Sequence, residues 1–216
     1  MDDYDAYFFD WDGTLAQTFR VWMGITRKTL TDYGLEATDK EIVRNLFGRA
    51  PLGLPEYGVP KVDLPQIFAE WDKSAQAGMP TVPLYPGAKA VLDGLTRRGK
   101  HMALITSTVR PTVELTLKLH GLEQTFAFLV TGSDVTAHKP DPEGILYALD
   151  KLGVAKGRAV MLGDSEKDIR AANNAGIDSI LYFPDVHKDF HNLEQLQADK
   201  PTYTIHSWQE FLDQLQ

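Results

Sequence analysis

Residues 158–176 read RAVMLGDSEKDIRAANNAG. An apolar run through Ala159–Leu162 ends at Gly163 and Asp164, and from residue 167 onward apolar residues recur at helical spacing until Gly176 closes the segment. A short apolar strand that passes through a polar turn into a helix is the building block of a parallel sheet.

The block recurs in both directions. Strand-type runs stand at 4–9 (YDAYFF), 101–106 (HMALIT), 126–132 (FAFLVTG), 178–183 (DSILYF) and 202–206 (TYTIH), with further helical patterns at 111–121 and 142–153. This alternation predicts an α/β fold with a doubly wound parallel sheet. Residues 16 to about 84 break it, because helical patterns at 18–33, 38–47 and 63–77 follow one another without a strand between them. The expected organisation is therefore an α/β core of residues 1–15 and 85–216, with residues 16–84 inserted after the first strand as a small helical cap domain. The stretch 48–60 reads as irregular, and Ser207 with Glu210 has capping-box spacing for a closing helix.

Composition narrows the function. With 22 Lys and Arg against 30 Asp and Glu the net charge is −8, the wrong sign for gripping nucleic acid or an anionic membrane. There is no cysteine, which removes thiolate metal sites and Cys nucleophiles. No apolar run reaches membrane-spanning length, and the acidic amino end is unlike a signal peptide. The expectation is a cytoplasmic protein, monomer or homodimer, acting on a small molecule.

In an open α/β sheet ligands bind beyond the carboxyl ends of the strands. The first run ends at Asp10, with Asp12 two residues on; the second ends at Thr106 and Ser107; Lys139 follows the third, in AHKPDP; Asp164 ends the strand quoted above, and Asp168 lies one helical turn later. Singly, Asp and Thr at such places are ordinary helix caps. Jointly they read as a site, since capping does not explain two carboxylates on the same side of an extended segment, where an unpaired charge is costly.

These residues carry a resemblance. The motifs DWDGTL (10–15), LITS (104–107), HKPDP (138–142) and GDSEKD (163–168) stand in the order found in the haloacid dehalogenase-like hydrolase superfamily, and the helical insertion resembles that of the subgroup containing phosphoglycolate phosphatase and β-phosphoglucomutase. The resemblance implies that Asp10 attacks phosphorus to form an aspartyl-phosphate, and that Asp12 protonates the leaving oxygen and later activates water. It implies that Thr106, Ser107 and Lys139 hold phosphoryl oxygens, that Gly13 turns the chain so that amides face the phosphate, and that Asp10, Asp164, Asp168 and the main-chain carbonyl of Asp12 serve a metal. Two unit charges about 4 Å apart interact by roughly 4 kcal/mol at an effective dielectric near 20. One Lys cannot offset four Asp residues plus a phosphate, and an all-oxygen donor set selects a hard cation, Mg2+.

The function so implied is Mg2+-dependent hydrolysis of a small phosphomonoester. A sugar-phosphate mutase shares the first step, and a phosphorylation-dependent receiver or ligand-binding domain is the non-enzyme alternative. After DGTL the chain has Gln17 and Thr18 where many phosphatases of the subgroup have Asp-Ser or Asp-Thr, and Ser107 and Thr108 stand where phosphoglycolate phosphatases often have Asn-Lys. Arg49 is a candidate for meeting a substrate anion from the cap. His187 and His191, in HKDFH, read as surface polar residues rather than a metal site, and Trp11 and Trp71 as packing residues.

Overall fold

The computed structural model describes residues 3–46 and 51–215. Six strands, β1 (Ala6–Phe9), β2 (His101–Ile105), β3 (Phe128–Val130), β4 (Ala159–Gly163), β5 (Asp178–Tyr182) and β6 (Tyr203–Ile205), form one parallel sheet in the order β3-β2-β1-β4-β5-β6. The order reverses at β1, which pairs with β2 on one side and β4 on the other; Phe9 is level with Leu104 and with Leu162. Such a reversal opens a crevice beyond the strand ends.

The sheet is covered on both faces, so its strands lack the apolar-polar alternation of a half-exposed sheet. Side chains still alternate between two cores. Tyr7, Phe9, Met102, Leu104, Val160, Leu162, Ile180 and Tyr182 face α4 (Ala88–Arg97), α5 (Arg110–His120) and α9 (Trp208–Gln214), while Ala6, Phe8, Ala103, Ile105, Ala159 and Met161 face α6 (Glu143–Leu152) and α7 (Glu166–Ala175). A short helix, α8 (Leu193–Gln197), precedes β6. Trp11 belongs to the first core, as the sequence suggested.

The segment between β1 and α4 folds as α1 (Phe19–Asp32), α2 (Asp39–Asn45) and α3 (Leu64–Gly78), with short 3-10 turns at Leu54–Tyr57, Lys61–Asp63 and Met79–Thr81. These helices bury an apolar cluster of their own, including Met23, Leu30, Ile42, Leu54, Ile67 and Trp71, and the indole of Trp71 donates to Thr29 Oγ1 at 2.8 Å. The chain leaves and re-enters the sheet side by side: Gln17 N donates to Pro83 O at 3.0 Å and Tyr85 N to Leu15 O at 2.9 Å.

Two local expectations need adjustment. α4 carries an apolar face, Ala88, Val91, Leu92 and Leu95, that the coarse alternation passed over. At α9 the Ser207 hydroxyl accepts from Glu210 N at 3.1 Å, but the Glu210 carboxylate accepts from His206 N at 2.7 Å, one residue earlier than in a capping box.

Candidate active site

β1 stops at Phe9, yet Asp10 N still donates to Leu162 O at 2.9 Å, which holds Asp10 at the mouth of the sheet. Its side chain is nine-tenths buried and its Oδ1 lies 2.8 Å from Lys139 Nζ. The same ammonium contacts Asp168 Oδ1 at 2.6 Å and donates to Ile105 O at 3.0 Å. All three N–H groups of Lys139 are thus directed at named acceptors. Burial pushes the Asp10 carboxyl well above the usual carboxylate range; Lys139 opposes this, while Asp168, Asp164 and Asp12 add to it. For Lys139 burial works against the charge, but Asp10 and Asp168 outweigh it and hold the ammonium above the ordinary lysine value.

Asp168 is fully buried. Its Oδ2 accepts from Ser165 N at 3.1 Å and Ser165 Oγ at 2.6 Å, capping α7, while Oδ1 takes Lys139. Capping and site chemistry, posed as alternatives by the sequence, share one carboxylate. Gly163 permits this: a Cβ there would come within 2.3 Å of Asp168. One carboxylate oxygen from each of Asp10, Asp164 and Asp168 lies within 4.8 Å of the other two, all three side chains being buried.

Gly13 makes the turn that follows. Its φ of +74° is a left-handed conformation costly for other residues, and a Cβ would meet Asp164 Oδ2 at 2.5 Å. Its amide donates to Ala16 O at 3.0 Å and so closes the turn. Thr14 Oγ1 donates to Asp164 Oδ1 at 3.1 Å. The Asp12 carboxylate stands apart from the three-carboxylate cluster. It accepts from the Trp22 indole at 2.7 Å, from Thr108 Oγ1 at 2.6 Å and from Thr106 Oγ1 at 3.4 Å.

Thr106 is buried and accepts from Thr108 N at 3.2 Å; Ser107 is half-buried, with its carbonyl packed against Gly132. Arg49 lies outside the described residues.

His187 and His191 require a correction. Neither is a surface residue: His187 is fully buried and the His191 side chain is about nine-tenths buried, its Nε2 3.3 Å from Asp164 Oδ2. The 3-10 turn Asp185–Asp189 folds this apparently polar loop inward, against Phe19, Tyr85, Tyr182 and Phe183. Burial lowers the His187 imidazole to about 4. Trp22, Thr108 and Tyr85 are likewise site neighbours that sequence reasoning did not select.

Carboxylates and one lysine are thus gathered beyond the central strands of a doubly wound parallel sheet, the arrangement of an α/β protein with its site at the strand ends. The chain belongs to the haloacid dehalogenase-like hydrolase family, whose sequence pattern matches residues 7–182. A phosphoglycolate phosphatase of Cupriavidus necator is 31% identical over 183 residues, covering 82% of this chain and 79% of the relative. Pyrophosphatase PpaX of Bacillus velezensis is 29% identical over 208 residues, covering 96% and 94%. The crystal structure of CbbY from Rhodobacter sphaeroides in complex with phosphate aligns with TM-score 0.80 at 25% identity, covering 96% of each chain. Among the described residues no helix is long and apolar enough to cross a membrane.

Proposed function

We propose that the chain is a Mg2+-dependent phosphatase that hydrolyses a small phosphomonoester through an aspartyl-phosphate on Asp10, with residues 16–84 acting as its cap. The observation that carries the reading is the contact of Asp10 with Lys139 at 2.8 Å beside Asp164 and Asp168. A nucleophile, a cation for phosphoryl oxygens and a group of oxygen donors then share one small volume. The matches to a phosphoglycolate phosphatase and a pyrophosphatase support phosphorus as the electrophile.

The donor set fits Mg2+: three buried carboxylates lie within 4.8 Å of one another, only two of them, Asp10 and Asp168, touch the Lys139 ammonium, and every donor is a hard oxygen. Asp10 and Asp164 would hold the ion, with the Asp12 carbonyl, and Asp168 would join them directly or by way of a water. When bound, Mg2+ supplies positive charge against the phosphoryl oxygens.

The chain's own residues carry the steps. An Asp10 oxygen forms a bond to phosphorus as the ester oxygen leaves with its electron pair, and Asp12 gives that oxygen a proton. Asp12 then takes a proton from water, whose oxygen bonds to phosphorus as the Asp10–phosphorus bond breaks, restoring both residues and releasing inorganic phosphate. Trp22 and Thr108 hold Asp12 in place for both transfers. The test is phosphate release from a panel of small phosphomonoesters, phosphoglycolate included, with Mg2+. Release by wild type and none by Asp10→Asn is expected; conversion of a sugar phosphate without release of phosphate would overturn the reading in favour of a mutase.

A further inference from the structure

Asp164 has a second set of neighbours. One of its carboxylate oxygens and one ring nitrogen each from His187 and His191 lie within 4.8 Å of one another. His191 Nε2 is 3.3 Å from Asp164 Oδ2 and pairs with that carboxylate, and among the described residues His187 Nδ1 has no aligned hydrogen-bond partner, the Gly13 backbone lying beside its ring. His187 is fully buried and the His191 side chain exposes a tenth of its surface. Buried polar nitrogens are normally satisfied, so a His187 nitrogen without an aligned partner, next to an imidazole–carboxylate pair, calls for an explanation.

The surroundings supply one. The other nitrogen of His187, Nε2, lies 2.8 Å from the Tyr85 hydroxyl, which leaves Nδ1 as the nitrogen free to bind. An imidazole anchored through one nitrogen and open at the other is the usual state of a metal ligand. The ring of Phe19 packs against both imidazoles, with centroids 5.1 Å from His187 and 5.6 Å from His191, and gives the group an apolar wall.

We propose that Asp164, His187 and His191 form a second metal site, next to the acidic cluster, that takes a borderline divalent transition ion of the Zn2+ or Co2+ class in preference to Mg2+. Two imidazoles and a carboxylate suit such ions, whereas Mg2+ favours oxygen donors and sheds water reluctantly. Because Asp164 also belongs to the cluster with Asp10 and Asp168, occupancy of the histidine site draws on a carboxylate that Mg2+ would use. Binding at this site does not depend on the phosphatase reading, and the experiment reads binding alone.

Metal-free full-length protein is titrated with Co2+ in excess Mg2+ while visible ligand-field absorption is followed, and the titration is repeated with His191→Gln after circular dichroism has checked its fold. One equivalent is expected to bind to wild type with nitrogen-ligand absorption, and His191→Gln is expected to weaken this about tenfold or more. Equal Co2+ affinity in the two proteins, or stoichiometric displacement by Mg2+, would place the ion in the all-carboxylate cluster and overturn the proposal. If the variant fails to fold, the imidazole proton resonances of wild type decide: two histidines shifted by Zn2+ and not by Mg2+ support the site, and unmoved resonances overturn it.

Discussion

The indole N–H of Trp22, in the first helix after β1, donates to Oδ1 of Asp12 at 2.7 Å, while the hydroxyl of Thr108, after β2, donates to Oδ2 at 2.6 Å. The carboxylate proposed to move protons is thereby gripped from the helical segment and from the sheet. Trp22→Phe keeps an aromatic ring beside Trp71, 6.4 Å away between centroids, and removes only the donor. A hydrogen bond to a charged group is worth about 1.5–3 kcal/mol, so kcat/KM is expected to fall by about tenfold or more, with most of the loss in kcat. Steady-state kinetics on a small phosphomonoester checks this, and a loss confined to KM would show that Trp22 serves substrate binding instead.

Asp10→Asn is expected to abolish phosphate release and to leave the fold intact. An amide is no nucleophile here, and the change removes one of the crowded buried carboxylates while Lys139 keeps Asp168 at 2.6 Å. Thermal melting should give a Tm equal to or above that of wild type; measurable turnover by the variant would rule out Asp10 as the attacking group.

Metal removal provides a third test. EDTA should silence phosphatase activity and added Mg2+ should restore it, while Asp164→Ala should raise the Mg2+ concentration needed or eliminate activity, because Asp164 is one of the three carboxylates within 4.8 Å. Full activity of chelated wild type would contradict the charge argument for a cation at this site.

Legibility in the sequence followed distance along the chain. Each strand announced itself by a local apolar run, and the positions of Asp10, Thr106, Lys139 and Asp164 followed because strand ends of a parallel sheet share one edge. Thr108 and Trp22 were hidden for the opposite reason: they meet Asp12 across 96 and 10 residues, and neither a Thr in a loop nor a Trp on a helix advertises its partner. His187 and His191 misled because HKDFH is polar in composition. Only the 3-10 turn beneath β5 folds the two rings against Phe19, and packing of that kind leaves no periodicity to read.

Asp134 gives a pH-dependent prediction away from the chemistry. Its Oδ2 accepts from Thr131 N at 2.8 Å, Thr131 Oγ1 at 2.5 Å and Arg110 Nη2 at 2.7 Å. Burial raises its pKa, but Thr131 and Arg110 outweigh burial and hold the carboxyl below 3.8. With the folded value depressed, the stabilisation is present above the unfolded value and lost as pH falls through the folded one. Asp134→Asn should cost about 1–2 kcal/mol at neutral pH, and the gap to wild type should close as pH falls below the usual carboxylate range and Asp134 is protonated. Denaturant midpoints across that range check it, and a gap independent of pH would mean that the hydrogen bonds matter without the charge.

Lys139 holds two buried carboxylates, Asp10 at 2.8 Å and Asp168 at 2.6 Å, and its removal should be felt in stability as well as in turnover. Lys139→Met preserves much of the stem's volume and deletes the charge. Breaking a buried pair by removing one partner typically costs about 3–5 kcal/mol, because the remaining charge is left without compensation. Asp10 is already pushed well above its usual value by burial, and loss of Lys139 takes away the opposing influence. A carboxyl whose folded pKa is raised contributes stability below its unfolded value and loses it as pH rises through the folded one. The destabilisation of Lys139→Met should therefore be larger at neutral pH than at acidic pH, where Asp10 becomes neutral in the variant. Adding Asp10→Asn should recover part of the lost stability at neutral pH without restoring activity. Thermal melts of wild type, single and double variants at both pH values decide it; a loss that is the same at each pH, and that Asp10→Asn leaves unrelieved, would mean that Lys139 stabilises the fold through its packing and its bond to the Ile105 carbonyl rather than through Asp10.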